Sequence, residues 1–166
     1  TMQHVNTNLR SRFKTTFLRI NQAFKSTFAE IFQGGKAKLT LTDPKHLLTT
    51  GINVIAQPPG KRYRNMELLS GGERSLTAIT LLFAVLKVKP VPFCILDEAE
   101  SALDSINVSR FAQYIRKLDH KTQFIVITHR KETMLYADHL YGVTMQYSGI
   151  SQIIPVNLKK ARKGMK

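Results

Sequence analysis

Cysteine is nearly absent: Cys94 is the only one in 166 residues. No disulfide framework and no cysteine metal cluster can be built from it, and a cytosolic setting fits best. Long apolar runs are missing too. The longest have the length of a strand or a short helix, well below the roughly 18 residues of a membrane helix. The first ten residues, TMQHVNTNLR, are polar and lack the apolar core of a secretory signal. Acidic residues are scarce, with 11 Asp and Glu against 25 Lys and Arg, a net charge of +14. That excess points to phosphate-bearing partners, nucleic acid first, and says little about fold. Part of it is a tail in which Lys159, Lys160, Arg162, Lys163 and Lys166 crowd the last eight residues; such a run by itself reads as a solvated end.

Hydrophobic residues make up 43% of the chain, enough for a single domain with a core. Phe13, Phe17, Ile20, Phe24, Phe28 and Ile31 recur every three or four positions. This predicts one amphipathic helix over 3–32, stopped by Gly34-Gly35. KAKLTLTD (36–43) alternates as a strand should, with Leu39 and Leu41 on one face, and GINVIAQ (51–57) is a second strand ended by Pro58-Pro59-Gly60. Lys61, Arg62 and Arg64 follow as a basic loop. A buried helix is expected over 72–88, a second over 106–118 with Val108, Phe111, Ile115 and Leu118 inward and Arg110, Gln113 and Arg116 outward, and a short one over 131–138. FCILDE (93–98) and QFIVIT (123–128) are apolar without alternation, as strands buried on both faces are. YGVTMQ and ISQIIPV flank Tyr147-Ser148-Gly149 as an antiparallel hairpin. Strands joined through helices imply an α/β fold with a mostly parallel sheet.

Four short stretches carry chemistry. Ser70-Gly71-Gly72-Glu73 is a capping box, S-x-x-E, at the start of a helix. A cap explains Ser70 and Glu73 but not two adjacent glycines, which cost chain entropy. Glycines let a ligand approach backbone N–H groups at the positive end of a helix, an arrangement that suits a phosphate. Asp97-Glu98 closes an apolar strand, where open α/β sheets bind ligands. One acid there can hold Mg²⁺ through water, and the other can orient an attacking water. As plain structure the pair is a strand end running into solvent. His129 follows the second apolar strand, and a parallel pairing brings it to the same sheet edge; structurally it is an ordinary strand-end histidine. Ser101-Ala102-Leu103-Asp104 reads as a turn with Asp104 capping the next helix.

Their order is more telling than any one of them. Ser-Gly-Gly-Glu precedes a buried helix, Asp-Glu follows 24 residues later, Ala-Leu-Asp comes just beyond, and a strand ends in His. Together these resemble the motif set of ABC-type ATPases: signature motif at 69–73, Walker B at 93–98, D-loop at 101–104 and switch histidine at 129. QPPGK (57–61), LLSGGERSLTAITLLFA (68–84), PVPFCILDEAESALD (90–104), RFAQYI (110–115), TQFIVITHR (122–130) and YGVTM (141–145) are similar to the C-terminal half of the ATPase head of a bacterial SMC (structural maintenance of chromosomes) protein. The resemblance implies a coiled-coil-derived helix over 1–32, the C-terminal lobe of the head over 33–158, and a basic tail over 159–166. It implies that Leu69, Ser70, Gly71, Gly72 and Glu73 meet a nucleotide held by an opposite head. It further implies that Asp97 coordinates Mg²⁺ through water, Glu98 polarises the attacking water, His129 contacts the γ-phosphate, and Asp104 crosses the dimer interface. ATP and Mg²⁺ are the expected ligands. The expected partners are the N-terminal half of the head, a second head, a kleisin subunit docking on the hairpin near 140–156, and DNA; chromosome condensation and segregation, near the nucleoid, is the expected setting.

A P-loop, G-x-x-x-x-G-K-[ST], is missing. The nearest stretch, AEIFQGGKA (29–37), has Ala29 and Ala37 where Gly and Ser/Thr belong, and it follows a helix. The chain alone is therefore expected neither to bind ATP tightly nor to hydrolyse it. A transporter nucleotide-binding domain would carry its P-loop upstream on the same chain. A head fragment of a related DNA-repair ATPase, or a basic DNA-binding module without enzymatic activity, are the alternative readings. Steeply salt-dependent DNA binding without nucleotide would mark the latter.

Overall fold

The computed structural model describes residues 2–118 and 120–156, with side chains from residue 7 onward; the basic tail at 159–166 lies outside the described residues. The elements run α1 (Met2–Ile31), β1 (Lys36–Leu41), β2 (Ile52–Gln57), β3 (Arg64–Asn65), α2 (Gly71–Val88), β4 (Phe93–Asp97), α3 (Ser105–Leu118), β5 (Gln123–Ile127), α4 (Lys131–Met134), β6 (Leu140–Tyr147) and β7 (Ile150–Val156). A 3₁₀ turn at Met66–Leu68 leads into α2.

The apolar stripe of α1 deepens toward its end. Phe13 and Phe17 are half-buried, whereas Phe24, Phe28 and Ile31 are buried against α2 and β1. Phe28 stacks on Phe32 at 4.0 Å and meets Phe24 edge-on at 6.0 Å. Asn21, on the same helix, donates to the Leu39 carbonyl at 3.2 Å and accepts from the Leu39 amide at 2.8 Å. It thereby pairs both backbone groups of one residue on β1, an edge strand. The helix ends with Gln33 at φ +55, Gly34 at +131 and Gly35 at +75. At Gly35 a Cβ would lie 2.4 Å from the Gln57 carbonyl oxygen, so the turn from α1 into β1 needs glycine for both its dihedral and its space.

A second centre lies where α2, α3 and β5 meet. Phe83, on α2, stacks on Phe111 at 5.9 Å and Tyr114 at 5.2 Å, and meets Phe124 edge-on at 6.5 Å. Side chains buried to this extent contribute roughly 1.5–3 kcal/mol each. The Tyr114 hydroxyl is paired with Thr27 at 3.1 Å, which ties α3 to α1 through a buried polar contact.

The expectation of a mostly parallel sheet is not met. Strands form three small sheets: antiparallel β1-β2-β3, parallel β4-β5 and antiparallel β6-β7. Only β4-α3-β5 contains the helical crossover that parallel pairing requires, while the other neighbouring strands are linked by loops short enough to fold back antiparallel. The expectation that both apolar strands are buried on two faces is also corrected. Phe93 and Ile95 on β4 are 58% and 56% exposed, and Ile125 and Ile127 on β5 are 46% and 52% exposed. One face of the pair packs on the core through Leu96, with the half-buried Cys94, Phe124 and Val126 against it. The other is uncovered, because the described residues supply no layer for it. The hairpin forms as expected, with register Leu140↔Val156 and a bulge at Met145/Tyr147. The basic loop proves partly structural: Arg64 pairs with Ala56 in β3. The helix expected over 131–138 is only one turn long. Arg110, expected outward, is half-buried and donates to Gln33 at 2.9 Å and Asn107 at 3.1 Å.

Candidate functional site

Parallel pairing sets Asp97 of β4 opposite Ile127 of β5. The ladder runs one bond further, because the Glu98 amide donates to the Ile127 carbonyl at 3.0 Å. Asp97, Glu98 and His129 therefore leave the sheet at one edge, its carboxyl end. His129 Nδ1 lies 3.4 Å from Glu98 Oε1, too long for a strong hydrogen bond. The two side chains are neighbours rather than locked, and both are more than half exposed. Glu98 takes φ +44, left-handed backbone that a glutamate adopts at a cost of about 1–3 kcal/mol. Its two backbone bonds hold it there, the second being the Ser101 amide donating to the Glu98 carbonyl at 3.0 Å. Strain of this kind, over-determined by its surroundings, gathers at functional sites.

After the strained glutamate the chain turns into α3. Asp104 caps that helix: its Oδ1 accepts from the Asn107 amide at 3.0 Å and its Oδ2 from the Asn107 side chain at 2.7 Å. The Asn107 amide, joined by the Asn107 side chain, holds the Asp104 carboxyl below its usual range against the opposing effect of burial.

The start of α2 is the other part of the site. Ser70 is its N-cap and forms the expected capping box with Glu73. The Ser70 amide and hydroxyl both donate to Glu73 Oε2, at 3.2 and 2.8 Å. Glu73 Oε1 is paired with Lys61 at 2.8 Å. Burial raises the Glu73 carboxyl, but the bonds from Lys61 and Ser70 outweigh it and hold the group below its usual range. This pairing matters for an anion. An unpaired carboxylate in the first turn would repel a phosphate, and Lys61 cancels that charge. Lys61 is itself held by the loop: its amide donates to Pro58 at 3.0 Å, and the Gln57 side chain donates to its carbonyl at 2.8 Å. A Cβ on Gly71 would meet nothing within 4 Å, whereas one on Gly72 would lie 3.4 Å from the Ala102 carbonyl oxygen. Gly71 is thus open to an incoming group, and Gly72 abuts the turn that leads to Asp104.

Of the residues expected to serve a nucleotide, Ser70 and Gly71 face solvent, while Leu69 is buried in the core and Glu73 is engaged with Lys61. Lys61 and a buried glutamate, Glu100, were not legible as site residues. Lys61 lies 12 positions from Glu73, a separation with no local signature, and Glu100 looks like any loop acid. Among the described residues no group of three or more His, Cys, Asp or Glu converges on a metal position. Asp97 fits a single water-mediated ligand position, not a complete site. No helix among them is long and apolar enough to cross a membrane.

Residues 5–152 match a family profile described as the RecF/RecN/SMC N terminal domain. That description names the N-terminal domain, not the C-terminal half expected above. The chain is 58% identical over 158 residues to the chromosome partition protein Smc of Lactiplantibacillus plantarum, covering 95% of this chain and 13% of that protein. The chain thus spans about an eighth of the length of this relative. Among solved structures it superposes on a chain from a study of ATP-driven dimerization and DNA stimulated activation of SMC ATPases, with a TM-score of 0.85 and 38% identity. That match covers 94% of both chains. It also superposes on the Smc head with an extended coiled coil from Pyrococcus furiosus, bound to the C-terminal domain of ScpA, with a TM-score of 0.86 and 37% identity. There it covers 98% of this chain and 41% of that one. The chain therefore belongs to the RecF/RecN/SMC family, and its α/β fold of helices and small sheets is part of an SMC head.

Proposed function

We propose that this chain is the C-terminal half of an SMC ATPase head, the lobe that carries the signature motif, Walker B, D-loop and switch histidine. The observation that carries this reading is the clustering of Asp97, Glu98 and His129 at one sheet edge, with a strained Glu98, in a chain that lacks a P-loop. The matched profile names an N-terminal domain, but a Walker A lobe needs G-x-x-x-x-G-K-[ST], and no such stretch occurs. The uncovered face formed by Phe93, Ile95, Ile125 and Ile127 is then where the P-loop half packs.

In this reading each residue works by its geometry. Ser70 and the amides of Gly71 and Gly72 bind the γ-phosphate of a nucleotide held by the opposite head, with Lys61 removing the repulsion of Glu73. Glu98 orients water for attack on the γ-phosphoryl group and accepts its proton. His129, beside it, donates to a γ-phosphate oxygen. Asp104 holds the start of α3 and reaches the dimer interface. Asp97 would hold Mg²⁺ through a water, and the ion would neutralise charge on the nucleotide phosphates. ATP binding and turnover therefore require both halves. The partners are a second head and a kleisin. The β6-β7 hairpin, which exposes Tyr141, Val143, Met145, Tyr147, Ile150 and Ile153, is the kleisin-docking surface. The structure bound to part of ScpA supports that partner. DNA is the partner for the net charge of +14, and chromosome partition at the nucleoid is the setting.

The test is ATP hydrolysis by the chain alone and by the chain joined to its P-loop half. Turnover is expected only in the joined form and should disappear on Glu98→Gln. Turnover by the isolated chain, or a joined head indifferent to Glu98→Gln, would refute the proposal.

A further inference from the structure

Glu100 is the most deeply buried carboxylate in the described chain, 1% exposed, and none of the roles above uses it. It lies two residues beyond Glu98, and its side chain reaches across to the segment that leaves β5. Its Oε1 accepts from the hydroxyl of Thr128 and, at 3.0 Å, from the hydroxyl of Thr133. Thr128 immediately precedes His129, and Thr133 lies in α4 just after it. The Thr128 oxygen also accepts from the Arg130 amide at 3.0 Å. One carboxylate oxygen thus fixes the backbone on both sides of His129. The Glu100 carbonyl in turn accepts from the Leu103 amide at 2.9 Å, which holds the same residue in the turn leading to Asp104.

Glu98, Ala99, Glu100, Thr128 and His129 form a closed ring. It is covalent along each segment, bridged by the Glu100–Thr128 hydrogen bond at one side and completed by the 3.4 Å approach of His129 to Glu98 at the other. The geometry points to Glu100 as a positioning residue that sets the distance between Glu98 and His129, an inference that rests on the function proposed above. The Glu98 backbone is held by the Ile127 carbonyl and the Ser101 amide, but the two side chains are exposed and only loosely in contact, so the placement of His129 rests on the Thr128 and Thr133 bonds to Glu100. The arrangement asks more than burial alone explains. A loop acid that served only to fill space would be replaced by an apolar side chain at no loss, whereas this one is buried with its second oxygen, Oε2, unpaired among the described residues. What the carboxylate supplies that an apolar group would not is a fixed acceptor for two hydroxyls that flank the histidine.

The role is separable from folding. Replacing both sides of a buried polar contact with apolar groups of like shape is close to neutral for stability. The variant Glu100→Met/Thr128→Val/Thr133→Val in the joined head removes the carboxyl together with both hydroxyls and should therefore melt within a few degrees of the wild type, the remaining cost being the Arg130 amide left without its Thr128 acceptor. Its kcat for ATP hydrolysis should fall about 100-fold, the loss expected of a misplacement of about 1 Å, while KM stays within about twofold. Thr128→Ser, which keeps the hydroxyl, should retain wild-type kcat. Should the triple variant not fold, Thr128→Val alone decides, assayed at a fixed interval below its own melting temperature. A lower kcat at unchanged KM supports the positioning role. Wild-type kcat in whichever of the two variants is assayed overturns it. Glu98→Gln, run in parallel, separates the two ideas. If it spares turnover, the proposed function itself fails; if it abolishes turnover while the apolar variant keeps wild-type kcat, only the role of Glu100 fails.

Discussion

Gly71→Ala is expected to make the chain more stable and less functional at once. Gly71 is the first residue of α2, is exposed, has no left-handed φ, and would present its new methyl group to empty space. Nothing in the fold therefore opposes alanine, and removing the conformational freedom of glycine from the unfolded chain stabilises by roughly 0.5–1 kcal/mol. For a domain of this size that is about 1–4 °C in Tm. The methyl group would stand where an anion must approach the amide. Losing one charge-assisted hydrogen bond of about 1.5–3 kcal/mol weakens nucleotide-dependent dimerisation by roughly 10–100-fold. The assay is a thermal melt of the chain beside a concentration series of the joined head, with and without ATP, carrying Glu98→Gln so that the dimer is not hydrolysed away. A fall in Tm would mean that the glycine serves the fold. Dimerisation unchanged by the methyl group would mean that no phosphate comes to this amide. Either result refutes the reading of the glycine pair.

Gly35→Ala should behave oppositely: with φ +75 and a Cβ 2.4 Å from the Gln57 carbonyl, it should cost about 2 kcal/mol or more and lower Tm by at least about 4 °C. A neutral melt would show that the turn out of α1 relaxes freely. Acid should weaken the starts of α2 and α3 together. The Glu73 and Asp104 carboxyls are held low in the folded state, so their stabilisation is present above the ordinary carboxyl range and is lost as pH falls through the folded values, below about pH 4. Glu73→Gln/Asp104→Asn should flatten the acid limb of a plot of Tm against pH; an unchanged limb would remove both groups from the account.

Much of this was legible because periodicity and local chemistry agreed. The stripe from Phe13 to Ile31, the box at Ser70 and Glu73, and the cap at Asp104 each depend on neighbours within a few positions, so the sequence alone shows them. The convergence of Asp97, Glu98 and His129 was legible too, because a parallel pair brings its two carboxyl ends together. The uncovered face of β4 and β5 was not. An apolar run predicts burial on both faces, whereas the described residues cover only one face of the pair and leave Phe93, Ile95, Ile125 and Ile127 exposed. Arg64 in β3, Lys61 on Glu73 and Glu100 under His129 depend on contacts between residues distant in sequence, for which no spacing rule exists. Arg110 was misplaced for the same reason: its partner Gln33 lies 77 positions away.

The central claim is that this chain completes a nucleotide site whose phosphate-binding loop lies elsewhere. The most direct test joins the chain to its P-loop half and measures dimerisation against ATP concentration, with Ser70→Arg beside the unaltered sequence. ATP should drive dimerisation of the unaltered head, and Ser70→Arg should abolish it, while the melting temperature of the monomer falls only by the few degrees that loss of the N-cap, about 0.5–2 kcal/mol, accounts for. Dimerisation that persists with arginine at position 70, or that forms without ATP, would contradict the claim.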